Sequence, residues 1–123
     1  MVVLVVEDST TMRQLICLSL KKIEGIVLVE AKDGKDALAK LGEITPDLLL
    51  TDLNMPEMDG FTLIAELRAK PQFAKLPVLV LTTAGAVEDQ ERAKSLNVTG
   101  YVTKPIRPAD LERTVRGALG SAG

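Results

Sequence analysis

The chain has no histidine and no tryptophan, and Cys17 is its single cysteine. Without histidine there is no Cys–His catalytic pair, and no imidazole is on offer to a metal. One cysteine cannot close an internal disulfide, so nothing here requires an oxidising compartment. Phe61, Phe73 and Tyr101 are the only aromatics, too few for a base-stacking platform. No basic stripe runs along the chain and the formal net charge is −2, which argues against a nucleic-acid surface. No apolar run is long enough to span a bilayer. Val2 to Val6 leads straight into Glu7 and Asp8, which is unlike an export leader, so residence in the cytoplasm is expected.

What is present is a soluble domain's share of apolar residues, 46% of 123, enough for one core of ordinary size. They come in short Val- and Leu-rich runs: Val2 to Val6, Ile26 to Val29, Asp47 to Asp52, Val78 to Thr82 and Thr99 to Thr103. Between them lie segments of helical spacing. Met12, Leu15, Ile16, Leu20 and Ile23 follow the cap hydroxyls of Ser9, Thr10 and Thr11, with Gly25 expected to end that helix. Asp33-Gly34 opens a second helix bearing Ala37, Leu38 and Leu41, closed by Gly42. After a loop containing Pro56, Phe61, Leu63, Ile64 and Leu67 mark a third. Ala93 and Leu96 give a fourth, polar helix a thin apolar face. Pro108 suits the first turn of a fifth, with Leu111, Val115 and Leu119. Strands alternating with helices predict a parallel α/β sheet covered on both faces, in one domain over residues 1–123 with no linker or repeat.

The charged residues fall where the apolar runs end. Glu7 and Asp8 follow the first, Asp52 ends the third, Thr82 the fourth, and Lys104 closes YVTK. Open parallel sheets bind ligands beyond the carboxyl ends of their strands. Three acids gathered there call for a cation, and an oxygen-only ligand set favours a hard ion, Mg²⁺ or Mn²⁺. Acids at a helix start are also ordinary caps, and Tyr101 reads equally well as a half-buried core aromatic.

Taken together, Glu7-Asp8, DLNMPEMDG (Asp52 to Gly60), LTTA (Leu81 to Ala84) and YVTKP (Tyr101 to Pro105) resemble the receiver domain of bacterial response regulators, over essentially the whole chain. SxTMR (Ser9 to Arg13) resembles the chemotaxis type. The resemblance implies a doubly wound, flavodoxin-like (βα)5 fold of strand order 2-1-3-4-5. It implies Asp52 as phospho-acceptor, Asp8, Asp52 and the Asn54 backbone carbonyl as metal ligands, and Glu7 as an outer acid reaching the metal through water. It assigns Lys104 to the phosphoryl oxygens, Thr82 and Tyr101 to a switch, and Asn54 and Ala84 to tuning of phosphate lifetime. It also makes the Lys104-Pro105 bond cis. The implied partners are a sensor histidine kinase as donor, and an effector or a histidine phosphotransfer protein downstream of a monomer without an output domain. Glu7 departs from the Asp common at its position.

Three rivals differ in chemistry. A haloacid-dehalogenase-type phosphatase needs a second aspartate where Asn54 stands, and asparagine cannot serve as general acid. A nucleotide-binding module needs glycine in the loop after the first strand, where EDSTT stands. A pseudo-receiver would bind partners without phosphorylation, against the intact Asp8, Asp52, Thr82 and Lys104.

Overall fold

The structure, a computed structural model, describes residues 1–55, 58–83 and 87–121. Five parallel strands, β1 (Val2–Val6), β2 (Val27–Ala31), β3 (Leu48–Asp52), β4 (Val78–Thr83) and β5 (Gly100–Lys104), lie in the order β2-β1-β3-β4-β5. Helices α1 (Thr10–Leu20), α2 (Gly34–Leu41), α3 (Gly60–Arg68), α4 (Val87–Lys94) and α5 (Pro108–Ser121) alternate with them. The doubly wound parallel fold and its strand order are those expected from the sequence.

Burial separates central strands from edges. Every residue of β3 is buried, whereas the edge strands β2 and β5 leave most of theirs partly or fully exposed. Side-chain alternation then divides the core in two. Leu4, Val6, Leu49, Val78 and Val80 face α2, α3 and α4, where Ala37, Leu41, Leu63, Ile64 and Leu67 pack against them. Val3, Val5, Leu48, Leu50, Leu79 and Leu81 face α1 and α5, meeting Ile16, Leu20, Leu111, Val115 and Leu119. Each such side chain removed from water contributes roughly 1.5–3 kcal/mol. Cys17 belongs to this second core, and burial pushes its thiol up to about 11, with the Glu30 charge adding to the effect.

Caps fix where helices begin. Ser9 Oγ accepts from the Met12 amide, Asp33 from Asp36, and Asp59 from Thr62. Some boundaries differ from the sequence reading. The first helix ends at Leu20 rather than at Gly25, with the Lys21 amide bonded to the Cys17 carbonyl. Ile23 follows in a turn, yet is still buried, and Gly25 sits at φ 79° before β2. β2 begins one residue later than expected and runs on through Glu30 and Ala31, because those residues pair with Val5 and Val6. β5 is shifted by one residue, pairing Thr103 with Thr82 and Lys104 with Thr83. A 3-10 turn, Pro71–Phe73, lies between α3 and β4.

At the amino ends of the strands, the Arg68 guanidinium gathers loose carbonyls. Its Nε donates to Leu96, Nη1 to Phe73, Ala74 and Leu76, and Nη2 to Asn97, at 2.8–3.2 Å. Asn97 itself adopts a left-handed backbone, φ 57°, where asparagine is tolerated.

Candidate functional site

The strand register brings the charged ends together. Val6 pairs with Thr51, Asp52 with Leu81, and Thr82 with Thr103, so Glu7, Asp52, Thr82 and Lys104 share the carboxyl edge of the sheet. Glu7 continues the ladder, its amide donating to the Ala31 carbonyl at 3.1 Å. Its side chain is therefore aimed inward, and the residue is 1% exposed. Glu7 Oε2 accepts from the Ser9 amide at 3.2 Å, while Oε1 has no hydrogen-bond partner among the described residues. Asp8, the next residue, is exposed.

Asp52 is 2% exposed at the end of the most buried strand. Its Oδ2 accepts from Lys104 Nζ at 2.7 Å, and its Oδ1 from the Asn54 amide at 3.1 Å. Thr51 Oγ1 donates to the Asp52 carbonyl at 2.9 Å. Gly60 closes over the same carbonyl: a Cβ there would collide with it and come within 2.9 Å of Leu53 Cα. Lys104 Nζ also lies 3.8 Å from Glu7 Oε1, so one ammonium sits between two buried carboxylates. The Lys104-Pro105 peptide bond is cis.

Carboxylate oxygens of Glu7, Asp8 and Asp52 lie within 4.8 Å of one another. Three like charges so close, with one lysine against them, leave the cluster short of positive charge. Glu7 registers the strain: burial, then its hydrogen bond with Asp8, then the charge of Asp52 push it up to about 7, against the pull of the Ser9 amide and Lys104. The donor set is oxygen only, and Glu7 Oε1, with the Lys104 ammonium at 3.8 Å and no hydrogen bond among the described residues, keeps lone pairs that a cation could take. These residues fit a hard divalent ion.

Thr82 is 1% exposed and its Oγ1 likewise has no hydrogen-bond partner among the described residues. Tyr101 is half-buried against the α2–α4 core, its hydroxyl donating to the Gln90 carbonyl of α4 at 3.0 Å. The Asn54 side chain is exposed beside the site. Ala84 and Pro56 lie outside the described residues. Sequence reasoning passed over two contributors. Arg13, whose Nη1 donates to the Glu7 carbonyl at 2.8 Å, figured only in a short motif. Gly60 figured only as the end of DLNMPEMDG, and only the fold reveals how close the Asp52 carbonyl comes.

Comparison with known proteins defines its class. The family model for the response regulator receiver domain matches residues 3–116, and the chain belongs to that family. It is 35% identical to the chemotaxis protein CheY1 of Helicobacter pylori strain J99, over 98% of each chain. The chemotaxis response regulator CheY4 of Vibrio cholerae superposes with a TM-score of 0.88 at 34% identity, covering 95% of this chain and 97% of that one. The response regulator Rcp1, solved in an Mn²⁺-bound form, superposes with a TM-score of 0.81 at 35% identity, covering 94% of this chain and 89% of that one. Receiver domains are response regulators rather than conventional enzymes. No helix among the described residues is long and apolar enough to cross a membrane.

Proposed function

We propose that this chain is a cytoplasmic, phosphorylation-dependent switch of the chemotaxis type, with Asp52 accepting a phosphoryl group from the phosphohistidine of a sensor histidine kinase. An Asp52 carboxylate oxygen attacks phosphorus, the bond to the histidine nitrogen breaks, and the electron pair leaves with the imidazole, giving an acyl phosphate. The observation that carries this reading is the Lys104–Asp52 contact of 2.7 Å at a buried strand end, beside two further carboxylates. A buried nucleophile already paired with an ammonium has, next to it, the charge that the equatorial phosphoryl oxygens will need.

Asp8, Asp52 and the Asn54 carbonyl would hold Mg²⁺, or Mn²⁺ as in Rcp1, with Glu7 as the outer acid. When bound, the ion neutralises charge on the transferring phosphoryl group. Thr82 supplies a hydroxyl with no hydrogen-bond partner among the described residues, which would donate to the new phosphoryl oxygen. Its movement would vacate space for Tyr101, whose hydroxyl is already tied to α4. α4 contributes only Ala93 to the buried core, so a modest change in those contacts suffices to shift it. The altered face of α4, β5 and α5 then binds an effector, with the chain acting as a monomer.

Intact-mass spectrometry after incubation with acetyl phosphate tests the reading, in Mg²⁺ and in EDTA, on wild type and Asp52→Asn. One added phosphoryl mass that requires both Mg²⁺ and Asp52 is expected. No adduct together with no beryllofluoride binding would reduce the chain to a constitutive binding module.

A further inference from the structure

The peptide that leads into the acidic pair is held from two sides. The Glu7 amide donates to β2 through the Ala31 carbonyl, and the Glu7 carbonyl accepts from Arg13 Nη1 at 2.8 Å. Arg13 stands in the first turn of α1 and is itself braced, its Nε paired with Glu30 Oε1 on β2 at 3.0 Å. Its side chain is 18% exposed. One guanidinium thus ties the end of β1 to α1 and β2. None of its hydrogen bonds among the described residues goes to a carboxylate of the Glu7–Asp8–Asp52 cluster.

The Glu7 carbonyl and the Asp8 amide belong to one rigid plane. Fixing that carbonyl fixes the direction in which the chain enters Asp8, and so narrows the positions the Asp8 side chain can reach. We propose that Arg13 is a positioning residue for the metal-binding carboxylates: it orients the Glu7–Asp8 peptide so that Asp8 is aimed at Asp52. The proposal rests on the metal-dependent reading of the site given above. A guanidinium acting through charge alone would do the reverse, since a positive charge beside a cation site repels the cation. Removing Arg13 therefore changes metal affinity in opposite directions under the two accounts.

Titration of the full chain with Mn²⁺, following the free-ion signal by electron paramagnetic resonance, reads that sign. Arg13→Met is expected to weaken binding about tenfold, the usual effect of losing a residue that orients metal ligands. Arg13→Lys keeps the charge and one donor and is expected to fall between, about threefold weaker than wild type. Glu30→Gln, which removes only a half-exposed brace, is expected to weaken binding at most about threefold. Unchanged or tighter binding by Arg13→Met overturns the proposal. If that variant does not fold, as judged by circular dichroism in chelator, Arg13→Lys decides, and wild-type affinity there overturns it. Wild type failing to bind Mn²⁺ would overturn the metal-dependent reading and this inference with it. Wild-type binding with an indifferent Arg13 overturns this inference alone.

Discussion

Each end of the sheet holds a cation drawn in from solvent, and the two are treated differently. At the amino ends, Arg68 meets five main-chain carbonyls and every one of its nitrogens has partners. At the carboxyl ends, Lys104 meets two buried carboxylates, and neither Glu7 Oε1 nor Thr82 Oγ1 makes a hydrogen bond among the described residues. The Arg68 end joins α3, the turn before β4 and the approach to β5 into one unit. The Lys104 end is incomplete as folded, and under the proposed function a cation for the acids and a phosphoryl oxygen for the threonine would complete it. Native proteins satisfy nearly all their buried polar atoms. Two exceptions within one small region distinguish a working site from a scaffold.

The comparison would break most visibly at the scaffold end. Arg68→Ala should destabilise the protein by about 2–4 kcal/mol in urea unfolding, because several partly buried carbonyls lose a charged donor at once. It should leave Mn²⁺ affinity within about twofold of wild type, since local effects at distant sites are independent. A fall of less than about 1 kcal/mol would mean that water replaces the guanidinium, and that the two ends are more alike.

A second test concerns Glu7. In the metal-free native state its pKa is raised to about 7, against 4.5 ordinarily, with burial the leading cause. Between those values the folded chain holds a proton that the unfolded chain has released. The associated stability is complete below about pH 4.5 and is lost as pH rises through 7. Glu7→Gln stays neutral throughout. In chelator it should gain on wild type between pH 5 and pH 8 by on the order of 1–2 kcal/mol. Parallel pH profiles for the two proteins would show that Glu7 is ionised in both states and sink the idea.

The smallest expected effect concerns the orphan hydroxyl. Thr82→Val replaces it with a methyl group of similar shape and should stabilise the metal-free protein by about 1 kcal/mol, as urea unfolding would register. Destabilisation would show that Thr82 Oγ1 has a partner after all. A gain in stability from altering a site residue would place Thr82 among positions kept for function.

The fold was legible because its signals are local and repeated. Val2 to Val6 and Leu48 to Leu50 are too apolar for anything but central strands, and their polar termini mark the edge where chemistry gathers. The edge strand β2 was read less well, since Glu30 and Ala31 carry no apolar signal and join the strand through pairing with Val5 and Val6. Gly25 misled in the opposite way: it is a turn glycine, but the turn follows the helix end instead of making it. Asp8, Asp52, Thr82 and Lys104 stood out as charged or hydroxyl residues at strand ends. Arg13 and Arg68 did not, because each acts on main-chain carbonyls whose positions exist only after folding. No sequence pattern marks an arginine whose partners are carbonyls up to 29 residues away.

Cys17 carries a practical consequence. Buried in the core beneath α1, with its thiol pushed up to about 11, it presents the reactive thiolate in roughly one molecule in a few thousand near pH 7.5. A maleimide dye added to the native chain should pass it by. An introduced surface thiol, for instance Glu91→Cys on the exposed side of α4, would then take the label alone. The movement of that helix that the proposed function calls for could then be sought by fluorescence in a chain with its native cysteine still in place.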